Sequence, residues 1–412
     1  MNLYLPLIIV ILVGNYILGL ITDYLNIRHL ETDLPGEFDG YYDSEKYKKS
    51  QTYLKENTIF KFIIDTVFIL ITLAFILLDG FNWVDGFARS FNLGPILTGL
   101  IFAGAILMAN QIIHIPFDAY DTFVIEEKYG FNKTTIKTFI ADILKGWLIG
   151  LIIGVIIFSI ILWLFGVAGS LAWLYCWIAV TLFLIFILFI SPVMIMPLFN
   201  KFTPLEDGEL KTAIENYAQS EKFRMKGVFK MDGSKRSTKT NAFLTGLGRF
   251  RRIVLFDTLI ARHTTDELVS VIAHEMGHYR KRHILKSLIL SILTSGLMFY
   301  LLSLFINNQG LFDAFKMEKT SIYASLFFFG FLYTPINLAI SIFGNVFSRK
   351  HEYEADRYAV VTYKKPEAMI NALKKLSVDN LSNLTPHPLK VFLLYTHPPV
   401  LSRINAVRSG LQ

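Results

Sequence analysis

Apolar residues along the chain gather into seven long runs, near 3–22, 62–78, 95–113, 147–167, 171–200, 284–306 and 322–347. A helix needs about 20 apolar residues to cross the hydrocarbon layer of a bilayer, so each run predicts a transmembrane helix. The second is short. The fifth is long and interrupted by Pro192 and Pro197, which predicts a bend near its end. The first has no basic stretch ahead of it and reads as a membrane anchor, not a cleaved signal peptide. Between the fifth and sixth runs the pattern changes. Residues 206–222 place Leu210, Ala213 and Tyr217 in rough helical register. Two β-rich runs follow, Val228–Met231 and Arg252–Phe256, with Thr240–Thr245 as a third candidate and turns at Asp232-Gly233 and at Gly246 and Gly248. The fold class predicted is a mainly α integral membrane protein of seven transmembrane helices, with a polar part containing a small β-sheet. Its expected parts are 1–200, with polar loops 23–61 and 114–146, then 201–283, 284–347 and 348–412.

Composition removes the alternatives. Of 412 residues 53% are apolar and only 18% charged, against about 25% charged in soluble domains. A single Cys excludes a disulfide scaffold and a thiolate-rich zinc module. The net charge of +7 is concentrated in particular loops. Residues 23–61 hold six Lys or Arg and 114–146 hold four, whereas 79–94 holds Arg89 alone and 307–321 only Lys316 and Lys319. Positive loops stay in the cytoplasm, so the N-terminus is expected outside and both 201–283 and 348–412 inside. Basic residues beside membrane spans argue for lipid neighbours and against nucleic acid.

Candidate chemistry begins at Asp266, where a helical pattern opens with Thr264 and Glu267 at capping-box spacing. On that helix lies His274-Glu275-Met276-Gly277-His278. Residues four apart stand on one helix face, so both imidazoles can bind one ion while Glu275 reaches a water on it as general base. Such a site needs a third protein ligand. The metzincin spacing would put a third His at Ile284 and a Gly at Lys281, which excludes that class. The better source is Ser348 to Asp356, where Glu352 and Asp356 share a helix face. Glu352 is the expected ligand, with Asp356 accepting the other N–H of a ligand imidazole. Glu354 would point elsewhere, and His351 competes as ligand. His397, in Thr396-His397-Pro398-Pro399 ahead of Arg403, reads equally as a turn residue or as a donor to a developing oxyanion. His29, His114, His263, His283 and His387 belong to no pattern and are expected to be structural. Cys176, inside the fifth run, is expected to be a small buried hydrophobe.

Taken together, these residues resemble the CAAX prenyl protease 1 family of type I membrane zinc endopeptidases. The similarity extends over Tyr47 to Phe60, Ile115 to Asp142 with Glu126-Glu127-Lys128-Tyr129-Gly130-Phe131-Asn132, Asn241-Ala242-Phe243, Arg252 to Leu259, and the His, Glu and His-Pro-Pro motifs. The resemblance implies one Zn2+ on His274, His278 and Glu352 with Glu275 as base. It implies a hollow chamber of seven helices capped by a gluzincin-like domain. It also places Asn241 and Ala242 on an edge strand that pairs with extended substrate, with His397 and Arg403 beside the metal. In eukaryotic members the substrate ends in a prenylated Cys and three further residues, cleaved after that Cys. The absence of a dilysine or other ER-retrieval signal, together with the compact, Cys-poor chain, leads us to expect a prokaryotic inner membrane rather than the ER. There, peptides or damaged membrane proteins are the expected substrates. Two rivals remain: an HtpX-type quality-control protease, and a metal-binding transporter. The second is weakened because only Asp65 lies well inside a span, with Lys286 near an end.

Overall fold

The computed structural model describes residues 2–31, 33–246 and 251–410, so Gly248 lies outside the described residues. Seven helices are long and apolar enough to cross a membrane: Tyr4–Arg28, Ser44–Leu77, Pro95–Tyr129, Ile136–Val167, Gly169–Phe199, His283–Phe305 and Ile322–Tyr363. We number them spans 1 to 7. Several overrun the apolar runs that announce them. Span 2 starts within the expected loop 23–61, where the Asp43 side chain accepts from the Lys46 amide at 2.6 Å. Span 3 continues to Tyr129 through a π-helical turn at Asp121–Glu126, and span 4 starts at Ile136, so most of the expected loop 114–146 is helical. Hydropathy marks the part of a helix that sits in lipid, whereas capping and the next packed neighbour decide where it ends. Pro192 falls in a second π-helical turn, Ser191–Ile195, after which the last turn of span 5 begins at Met196.

Consecutive spans lie side by side, and span 7 also packs against span 1. Spans 2 and 3 meet through Phe60 against Phe117 and Tyr120, and through Phe68 stacked on His114 at 3.9 Å. The seven therefore form a ring. Near the start of span 7 the ring is pinched shut, because Gly99 of span 3 lets Leu162 of span 4 and Tyr323 of span 7 come close. A short helix outside the predicted elements, Gly80–Ser90, joins spans 2 and 3 and buries Phe81 against Phe315 and Phe328 at that end.

The polar part holds a four-stranded sheet in the order β1-β2-β4-β3. The strands are β1 (Phe202–Pro204), β2 (Gly227–Met231), β3 (Ala242–Thr245) and β4 (Arg252–Phe256). β2 and β4 are parallel and the other pairs antiparallel. In β4 three consecutive residues, Ile253 to Leu255, are buried, as in a central strand covered on both faces. β1 carries no alternation and ends in proline, so nothing in its sequence announced it. The expected helix over 206–222 is Glu209–Ser220. One hydrophobic core joins the sheet, that helix, and helices Thr265–Arg280 and Pro366–Asp379. It also takes in Phe38, Tyr42, Tyr47, Ile125, Tyr129 and Phe131, so the segments expected as cytoplasmic loops are built into this core by their aromatic residues.

Candidate active site

Helix Thr265–Arg280 begins with both reciprocal bonds of a capping box. The Thr264 amide donates to Glu267, and the Thr264 hydroxyl oxygen accepts from the Glu267 amide. This fixed start sets the rotation of the helix, and one turn apart His274 and His278 bring their Nε2 atoms to 3.1 Å. The third group arrives on span 7, whose 42 residues run unbroken to Tyr363. Glu352 and Asp356 occupy one face of its overrunning end and are 4% and 2% exposed. The two helices meet at Gly277, where an added Cβ would lie 3.0 Å from the Ala355 Cα. A side chain there would press on backbone atoms, so the close approach favours glycine.

The Glu352 carboxylate lies 3.4 Å from His274 Nε2 and 3.2 Å from His278 Nε2. Ligand atoms of a tetrahedral zinc, with bonds of 2.0–2.1 Å, stand about 3.3 Å apart, so this donor set fits the ion. Glu352 Oε2 adds a second indication. It is buried without a hydrogen bond, although His274 and the Arg403 guanidinium, at 3.3 Å, lie in ion-pair range. Among the described residues these three form the group able to hold a metal, and His351 is not in it.

Asp356 takes the other nitrogen of His274, Nδ1, at 2.8 Å. Arg403 grips Asp356 in turn through Nε and Nη2, at 2.8 and 2.6 Å. Burial works against protonation of His274, but the Asp356 and then the Glu352 carboxylate outweigh it and hold the imidazole at about 9. A cation taking Nε2 has to displace that proton. The Glu275 carboxyl is pushed up by burial, while both histidines and the Leu244 backbone amide pull it back. A carboxyl raised in this way is a stronger proton acceptor than an ordinary carboxylate.

Leu244 belongs to β3, which pairs only with β4 among the described residues. The Phe256 amide bonds Asn241 O, so alternate residues Ala242 and Leu244 turn their amides to the open edge. Asn241 Oδ1 accepts from the Ala242 amide at 2.8 Å, and Leu244 faces Glu275. His397 projects beside the same site, 64% exposed, with Nε2 at 3.4 Å from Glu352. Pro399 then caps helix Val400–Ser409, which carries Arg403. The guanidinium of Arg403 is 12% exposed and spent on the two carboxylates.

Among the remaining histidines, His387 caps helix Pro388–Leu394 by accepting from Leu389 N and meets His29 edge to face. His263 bonds Leu259 O in a buried pocket. Cys176 is fully buried. His283 departs from expectation: it touches His278 directly. Nothing about its spacing signalled this, since residues five apart share no helix face; the contact depends on the turn between two helices.

Residues 204–410 match Peptidase family M48, and residues 23–201 match the CAAX prenyl protease N-terminal region with five membrane helices. A crystal structure of S. mikatae Ste24p superposes with a TM-score of 0.94 over 99% of each chain, at 32% identity. The chain belongs to the CAAX prenyl protease 1 family. The Arabidopsis thaliana CAAX prenyl protease 1 homolog is 38% identical over 314 residues, covering 76% of this chain and 74% of the relative. The Saccharomyces cerevisiae CAAX prenyl protease 1 is 36% identical over 332 residues, covering 76% and 72%. The protein is a multi-pass membrane metalloendopeptidase of the CAAX prenyl protease type, acting on peptide or protein substrates.

Proposed function

We propose that the protein is a zinc endopeptidase that hydrolyses peptide bonds near the C-termini of membrane-associated substrates, prenylated ones included, at a site opening into the ring of spans. The observation that carries this is the convergence of His274, His278 and Glu352 beside Glu275 and the open edge of β3. These three ligands would hold zinc, which supplies the Lewis acidity that acidifies water and polarises the scissile carbonyl. Glu275 takes the proton of the attacking water and returns it to the leaving amine. Asn241 and Ala242 hold extended substrate by strand addition along β3. His397 donates to the carbonyl oxygen as its charge develops. Arg403 and Asp356 keep His274 in register, and Arg403 also stands on the substrate side of Glu352.

Support for a chamber comes from the spans themselves. At most 22% of any span's most apolar window is buried, too little for a solid bundle. Asn15, Asn110, Gln111 and Asn337 are all exposed within spans, where hydrocarbon penalises amides and water does not. Helix axes about 9 Å apart in a ring of seven leave an interior roughly 10 Å across, room for an extended peptide. The Lys and Arg asymmetry supports an outside N-terminus and a cytoplasmic peptidase part. The inner membrane of a prokaryote is the proposed setting.

The test is incubation of the purified protein with a farnesylated CAAX peptide, its unprenylated twin and an unfolded membrane protein, read by product masses. Cleavage of the first after its modified Cys, at a rate well above the twin, is expected. Cleavage of the unfolded protein alone would assign the chain to quality control.

A further inference from the structure

His274 has Asp356 at its Nδ1, but no carboxylate meets the Nδ1 of His278, the other proposed ligand histidine. His278 Nδ1 instead lies 3.1 Å from His283 Nδ1, and His283 Nε2 lies 3.0 Å from Glu354 Oε2. We propose that His283 and Glu354 are positioning residues for His278, forming a carboxylate–imidazole–imidazole chain that ends at the metal. The inference rests on the zinc site proposed above.

The proton positions follow from valence. A histidine that gives its Nε2 lone pair to a cation carries its proton on Nδ1, so His278 donates to His283. His283 Nδ1 must then accept, which puts its own proton on Nε2, where Glu354 accepts it. Each bond requires the next, so the distant carboxylate selects the tautomer that lets His278 ligate. The local structure is arranged to hold this. Arg282 adopts a left-handed conformation at φ 57, unusual for a bulky residue, and this sharp turn swings the first residue of span 6 back beneath the metal helix. His283 is 3% exposed and lies flat on His351 at 4.0 Å and 12°. Lys286, 3.9 Å from Glu354, helps to keep that carboxylate in place.

A residue that only packs would affect melting and not metal affinity, so affinity is the readout. Zinc affinity of the full-length protein in detergent is measured by competition with a chromogenic chelator, with melting temperature taken on each preparation. His283→Phe retains the stacking on His351 but removes the acceptor, and its zinc affinity should fall about 10–100-fold. His283→Gln offers an amide oxygen to His278 and should recover most of that loss. Glu354→Ala frees the His283 tautomer and should fall between them. Parent-like affinity in a folded His283→Phe, or equal weakness in His283→Gln, overturns the proposal. If His283→Phe does not fold, unchanged affinity in Glu354→Ala overturns it. His274→Ala separates the two readings: undiminished zinc binding there would mean that the zinc site itself is misassigned.

Discussion

At the residue scale, the proposed site divides groups that would hold the metal from groups that would react. Glu275 shares a helix with His274 and His278, two of the proposed ligands, yet is not in the group able to hold a metal; both histidines and the Leu244 amide act on its carboxyl. Glu275→Gln keeps size and helix and removes only the base. We expect full metal content with kcat lower by roughly 10²–10⁴, checked by elemental analysis and steady-state kinetics on the same preparation. His397 has the opposite profile, exposed, with Thr396 and the edge of Glu352 as its near polar contacts among the described residues. A residue so placed adds little packing, so His397→Phe should leave the melting temperature and zinc content alone while kcat falls about 10²–10³-fold with a smaller change in KM. A destabilised variant with intact kcat would make it a turn residue.

At the element scale, the metal site is an intersection of two helices, and its tolerance is set by how closely they meet. A Cβ at Gly277 would face the Ala355 Cα at 3.0 Å and its carbonyl oxygen at 3.1 Å. Backbone atoms cannot step aside as a flexible side chain can. Gly277→Ala should therefore drive the metal helix from span 7, costing about 1–3 kcal/mol and weakening zinc binding, because Glu352 moves away from both histidines together. Thermal melting and chelator competition read the two effects. Wild-type affinity in this variant would show that the helices separate without disturbing the ligands.

Across the whole molecule, the chain's two ends are tied together through a carboxylate. Glu37, between spans 1 and 2, pairs with Lys374 at 2.5 Å and with Arg408 of the last helix at 2.5 and 2.8 Å. Burial of Glu37 opposes its charge, yet Lys374 and Arg408 outweigh this and lower its pKa below the ordinary 4.5. A lowered folded value means the stabilisation is complete above pH 4.5 and disappears as pH falls through the folded pKa. Glu37→Gln should cost about 1–3 kcal/mol at pH 7, with the gap from the parent closing as the protein is acidified. Melting curves across pH test this, and a gap that persists in acid would mean the contact is packing and not charge.

What the sequence determined by itself was everything written at short range. Seven apolar runs gave seven spans, Thr264 and Glu267 gave the capped helix, and spacing by four put His274 above His278 and Glu352 above Asp356. Each follows from helix periodicity and the length a bilayer demands, which are local constraints. Tertiary structure alone decided which side chains from distant segments would meet. Glu352 was preferred to His351 because it shares a helix face with Asp356, but its approach to both histidines depended on how span 7 packs against the helix of His274 at Gly277, a contact invisible in either segment. The aromatic residues of the expected loops could have packed on lipid or on protein, and only the assembled core selected protein. His283 became a neighbour of His278 because Arg282 turns left-handed between two helices. Periodicity carries no information across such a turn, since packing between elements fixes it.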